Sequence, residues 1–155
     1  MRFAVWFCLV SMLAVQSTHA LDPLKADILL LKLGMTEAEV REKLATQGAQ
    51  AMPGAANDAD TIVARAKDGT LTVDFDKNGQ ARRIVYAFRG NGPNEDAILR
   101  QAMLDHFGAP ASDSPLTWCA RPSPAGACPP NEPAVRFVEA RGTRPVLTLA
   151  RDDGG

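Results

Sequence analysis

The sequence predicts an α+β fold: helices packed on one face of an antiparallel sheet, in a weak tandem repeat of helix plus three strands. Three observations predict it. Residues 61–88 read as three strands separated by Asp68-Gly69 and Asn78-Gly79, the dipeptides most typical of tight hairpins. Thr36 and Glu39 have the spacing of a capping box at the head of a helix. The order helix, three strands then recurs, with the two helices ending ATQGA and DHFGA. Each half, about 24–90 and 94–150, holds too little core alone, so the two pair within one α+β domain over 21–150.

The N-terminus sets the compartment. Arg2 is followed by the 13-residue apolar run FAVWFCLVSMLAV, shorter than the ~20 residues that a membrane-spanning helix needs. Thr18-His19-Ala20 then offers small or tolerated residues for leader-peptidase cleavage between Ala20 and Leu21. Residues 1–20 therefore read as a signal peptide, and the mature chain as periplasmic or secreted with no transmembrane segment. Cleavage removes Arg2, so the formal charge moves from −1 to −2. That near balance gives no electrostatic reason to expect nucleic acid as a partner.

Pro23 to Leu33 (PLKADILLLKL) is apolar and predicts a short helix. The helix after Thr36 follows, with Met35 and Val40 placed as a hydrophobic staple. Glu37–Arg41 and Glu39–Lys43 are i,i+4 pairs, and Gly48 is the stop. These assignments leave Thr36 and Glu39 a capping role rather than an acid–base one. Residues 49–60 are small, polar and turn-rich, and predict a loop.

In the three-stranded meander a two-residue loop at 68–69 would place Leu71 opposite Ala66 and Val73 opposite Ala64. A two-residue loop at 78–79 places Val73 opposite Ile84, Leu71 opposite Tyr86, and Phe75 opposite Arg82, an edge misfit. The opposite face carries Arg65, Lys67, Thr70, Thr72, Asp74 and Arg83 and reads as solvated or as a partner surface. Asp74, Asp76, Asn78 and Gly79 imitate the start of a calcium loop, but the twelfth position is Val85, which supplies no carboxylate. The stretch reads as a hairpin turn.

Asn94 is placed to cap a second helix over Glu95–Phe107, with Ile98, Leu99, Ala102, Met103 and Phe107 on one half of the wheel. His106 falls in that arc, in the last turn, where imidazole suits the helix dipole; no nucleophile or carboxylate pattern marks it as part of a triad. Leu116–Ala120 and the runs AVRFVEA (134–140) and PVLTLA (145–150) predict three more strands. A three-residue loop at 141–143 places Phe137 opposite Leu147 and Val135 opposite Leu149. Cys119 and Cys128 are an even pair in an exported chain and predict a disulfide, with Trp118 packed on it. Residues 151–155 (RDDGG) predict a flexible tail.

LGMTEAEVREKL followed by VDFDKNGQARRIVYAF resembles the small envelope domains of the SmpA/OmlA (BamE-like) and β-lactamase-inhibitor-protein-like type. The matching motif is Leu33-Gly34-Met35-Thr36 with Val40 and Leu44, then Gly79 and Ile84-Val85-Tyr86; DHFGAP (Asp105 to Pro110) matches the end of the second helix. The resemblance implies helices laid across an antiparallel sheet, and a role in protein binding. Its lipoprotein members carry a cysteine just after the leader; Leu21 stands there in this chain, so membrane tethering is not implied.

These features lead to an exported, non-catalytic protein-binding or adaptor module of the bacterial envelope, needing no cofactor or metal, with another envelope protein as partner. The alternative is a periplasmic or secreted enzyme inhibitor acting through its disulfide-bound loop. An enzyme is not expected, because one of the two histidines leaves with the leader and the acids sit in turns, caps and the tail.

Overall fold

The structure, a computed structural model, describes residues 26–52, 60–90, 93–130, 132–139 and 144–151. The signal-peptide junction at Ala20 and Leu21, and residues 152–155 of the tail, lie outside the described residues. Ten elements follow in chain order: α1 Glu37–Thr46, β1 Gln50–Ala51, β2 Thr61–Ala66, β3 Gly69–Phe75, β4 Ala81–Phe88, α2 Pro93–Phe107, β5 Ser112–Asp113, β6 Leu116–Cys119, β7 Pro133–Val138 and β8 Val146–Arg151. All eight strands join one antiparallel sheet in the order β1-β2-β3-β4-β8-β7-β6-β5.

The fold class read from the sequence is corrected here. The chain is mostly an eight-stranded antiparallel sheet with two short helices, not a tandem repeat of helix plus three strands with helices packed across it. Among the described residues the helices give the core three buried side chains, Val40, Leu44 and Phe107; the strands supply most of the rest. The helices also differ. α1 buries two side chains within its 10 residues, whereas among its described side chains the 15-residue α2 fully buries only Phe107, at its end. Ile98, expected on the inward arc of α2, is 69 % exposed, and Leu99, Met103 and Leu104 make partial contact with the core instead.

The helix expected over 23–33 does not form in its described part. Ile28 and Leu31 exchange backbone hydrogen bonds of 3.0 and 3.1 Å across a tight turn, with Leu29 and Leu30 at φ 54° and 61°. Asp27 Oδ1 accepts from the N–H of Leu30 at 3.1 Å, a local alternative to helical bonding. That turn buries Ile28 and Leu31 and leaves Leu30 in solvent.

α1 forms as its cap dictates. The N–H of Glu39 donates to Thr36 Oγ1 at 3.4 Å, while the N–H and the hydroxyl of Thr36 both donate to Glu39 Oε2 at 2.8 Å. Glu37 pairs with Arg41 at 2.7 Å, and Gly48 ends the helical stretch at φ +67°. The backbone and hydroxyl donors of Thr36 hold the Glu39 carboxyl below the usual range. A depressed folded pKa stabilises the fold above the ordinary value of 4.5, and that contribution is lost as pH falls through the folded pKa. Glu39→Gln should therefore flatten the acid limb of stability below about pH 4.5, read by urea melts at stepped pH. Thr36→Ala should cost about 1 kcal/mol at neutral pH.

Side chains on the core face meet in register. Ile62, Val73, Ile84, Leu149, Val135 and Trp118 form one row across six strands; Ala64, Leu71, Tyr86, Leu147, Phe137 and Leu116 form the next. The expected pairs Val73–Ile84, Leu71–Tyr86, Phe137–Leu147 and Val135–Leu149 all occur. The β2–β3 register differs: Ala66 pairs with Gly69, so the turn is Lys67-Asp68 and every partner moves by two. A shift of two preserves faces, so the core is unchanged. The register shifts between Asp74 and Phe75 of β3, which puts Phe75 opposite Ala81 and leaves Arg82 of β4 unpaired and in solvent, removing the expected misfit.

Gly69 is drawn into β3 by close packing. A Cβ there would lie 2.4 Å from the carbonyl oxygen of Ala87 and 2.8 Å from the Tyr86 ring, which covers the glycine. Gly69→Ala should destabilise by about 1–3 kcal/mol, since backbone and ring must both move. Denaturant unfolding measures it.

Candidate functional site

The face of the sheet opposite the core has its own rows. Val63, Thr72, Val85, Thr148 and Arg136 form the middle one. Thr61, Asp74, Arg83, Ala150 and Ala134 flank it on one side, and Arg65, Thr70, Ala87, Val146 and Val138 on the other. Most are half-buried, as expected of short side chains on a broad sheet, while Arg65, Arg83, Arg136 and Val138 are exposed. Both helices put their buried side chains into the core cluster, on the other face. The surface is built mainly of Val, Thr and Ala, with arginines set among them.

Asp74 is engaged on this face. Its carboxylate accepts from Thr61 Oγ1 at 3.2 Å and lies 3.6 Å from Arg83. Asp76 is a turn residue: its Oδ1 accepts from the N–H groups of Asn78 and Gln80 at 2.8 and 3.0 Å. Those bonds, the one from Gln80 foremost, hold its carboxyl below the usual range. The two acids of the calcium-like stretch thus serve strand pairing and a hairpin turn. Among the described residues no cluster of three or more His, Cys, Asp or Glu is placed to hold a metal.

The disulfide loop leaves the sheet at the end of β6. Cys119 and Cys128 are bridged, with Cα atoms 5.8 Å apart. The ion pair Arg121–Glu132 ties the base of the loop. At its tip Ser123 N–H donates to Ala127 O at 2.8 Å, Ala127 N–H donates to Ser123 Oγ at 3.1 Å, and Gly126 N–H donates to Ser123 O at 2.8 Å. Gly126, at φ +77°, lies against the carbonyl of Ala111, where a Cβ would come within 2.3 Å. Arg121 to Ala125 project into solvent.

Trp118 packs toward the core rather than on the bridge. Its ring lies 5.2 Å from that of Phe107, and its Nε1–H donates to Gly108 O at 2.9 Å. His106 is exposed, with its ring 4.6 Å from that of Phe107.

Two clefts flank α2. One, about 590 Å³, is lined by Lys67, Asp68, Phe88, Arg89, Glu95 and Ile98 among others. The other, about 440 Å³, lies where Arg100 pairs with Glu139 at 2.8 Å and Asp113 at 3.8 Å. Near the first, burial and the Asp68 carboxylate push the Tyr86 hydroxyl above its ordinary pKa. Both clefts mix cations and anions. Arg136 and the Arg100 clasp were not singled out from the sequence, although the lone arginine inside Ala-Val-Arg-Phe-Val marks an outward position by alternation.

Among the described residues no helix is long and apolar enough to cross a membrane. No family model, curated protein or solved structure matches the chain.

Proposed function

We propose that this chain is an exported, non-catalytic protein-binding or adaptor module of the bacterial cell envelope, with another envelope protein as its partner. The observation that carries the proposal is the open face of the sheet. β2, β3, β4, β8 and β7 lie side by side there, and the buried helix side chains Val40, Leu44 and Phe107 belong to the core on the opposite face. Its Val and Thr side chains are stiff at χ1 and lose little freedom when covered. The leader-like residues 1–20 and the BamE-like motifs around Leu33–Leu44 support the envelope setting. Crosslinking in intact cells should recover one dominant envelope protein; recovery of none at native abundance rejects the proposal. N-terminal sequencing of the exported chain should begin at Leu21.

The bracing of the disulfide loop favours a second function, inhibition of an enzyme. An exposed tip held by a bridge, an ion pair and three local hydrogen bonds would lose little entropy on entering a cleft. Replacing residues 121–126 with glycine and serine should then abolish inhibition of the target enzyme, and unchanged inhibition rejects the loop's part in it.

A further inference from the structure

We propose that the cleft between the N-terminal half of α2 and the β2–β3 turn holds a small zwitterion, the free form of an apolar α-amino acid. Lys67 and Arg89 take its carboxylate, Asp68 its ammonium, and Phe88, Ile98 and Leu99 its side chain. This goes beyond the protein-binding role above and does not depend on it.

The cleft has the make-up of a binding site. At about 590 Å³ it lies within the ~300–1,000 Å³ range of small-molecule pockets. Much of its wall is apolar. Ile98 is the most exposed large hydrophobic side chain among the described residues, and it shares the cleft with half-buried Leu99 and Phe88. The Phe88 ring is fixed by edge contacts with Tyr86 at 4.8 Å and Phe137 at 6.3 Å. The charged groups gather at the turn. Lys67 and Asp68 form it, and the N–H of Arg89 donates to the Asp68 carbonyl at 2.8 Å. Among the described residues none of these three side chains is in an ion pair. Glu95 is not offered to a ligand, because it is engaged within the molecule and its carboxylate is set against Gly90.

The mixture of charge chooses the class of ligand. A plain anion would meet the Asp68 carboxylate, and a plain cation would meet Lys67 and Arg89. An uncharged molecule would strip water from three ions and return no partner for them. An α-amino acid carries both signs on one carbon, with its side chain leading away from them. The cleft is divided in the same way, with ions contributed by the turn and the end of β4 and hydrocarbon by Ile98 and Leu99 of α2. The Arg89 guanidinium can take a carboxylate through two parallel N–H···O bonds. A site that binds both head groups rejects analogues that lack either one.

The test titrates residues 21–155 with L-leucine and reads amide chemical shifts. Shifts should cluster at Lys67, Asp68, Phe88, Arg89, Ile98 and Leu99. N-acetyl-L-leucine lacks the ammonium and L-leucinamide lacks the carboxylate, so each should bind about tenfold or more weakly than leucine. D68N should weaken leucine and leave N-acetyl-leucine unchanged. K67Q/R89Q should weaken leucine and leave leucinamide unchanged. A denaturation midpoint checks that the variants fold, and if one does not, the analogue series on the wild type decides alone. No shift at the solubility limit of leucine, shifts confined to another surface, or N-acetyl-leucine bound as tightly as leucine overturns the proposal. So does a response of the same amides to phosphatidylethanolamine vesicles but not to leucine, which would assign the cleft to a lipid headgroup.

Discussion

Trp118→Ala is expected to cost about 3–5 kcal/mol, the largest loss from any single substitution considered, against a typical total of roughly 5–15 kcal/mol for a domain. Trp118 is 1 % exposed and ends a row of apolar side chains that runs from Ile62 across the sheet. It also holds the end of α2, through the Phe107 ring at 5.2 Å and the Gly108 carbonyl at 2.9 Å. Truncation opens a cavity, strands that carbonyl and removes the support beneath Phe107. Trp118→Phe separates these effects, because it keeps a ring and loses the N–H, and should cost nearer 1 kcal/mol beyond its smaller volume. Urea unfolding of residues 21–155 gives both values. Hydrogen exchange should show α2 protection falling more than that of β3 and β4, because its described contacts with the core are mostly partial. A Trp118→Ala loss below about 1 kcal/mol would contradict the packing described.

Removing the disulfide is the second large effect. Cys119→Ala with Cys128→Ala should destabilise by about 2–4 kcal/mol, as expected for closing a short loop in the unfolded chain. The partners are nine residues apart. Reductant should lower the wild-type midpoint by a matching amount and leave the double variant unchanged. The loop should lose order as well, because the Arg121–Glu132 pair and the Ser123–Ala127 turn are then its remaining ties. A wild-type midpoint indifferent to reductant would mean that the bridge adds nothing to the fold.

What the sequence disclosed follows the range of the interactions involved. Turn dipeptides and strict alternation are local, and they place Val73 against Ile84 and Phe137 against Leu147 correctly. The capping box is local too, and Thr36 and Glu39 form it in full. The dipeptide Asp68-Gly69 points to the wrong β2–β3 turn, because Tyr86 needs the bare backbone of Gly69 beneath its ring. That need arises from the neighbouring strand β4, not from the β2–β3 hairpin itself. The 23–33 helix was wrong because apolar content alone does not distinguish a helix from a tight turn that buries Ile28 and Leu31. β1 and β5, two residues each, carry no periodicity to read. The fold class failed on the same ground: the seam β4–β8, which merges all strands into one sheet, has no local signature. Arg65 and Arg83 were visible as outward residues of single strands, but their grouping with Arg136 exists only once that seam has formed.

The two-residue strands at either margin of the sheet have one more consequence. β1 and β5 are its outermost members, and each presents a stub of backbone to the outside. A neighbouring molecule that tried to extend the ladder would find too few open amide and carbonyl groups to hold it, so stacking of copies edge to edge is cut short. Ribbons left unfinished are prone to fibre growth, and these blunt margins build the safeguard into the outline of the sheet.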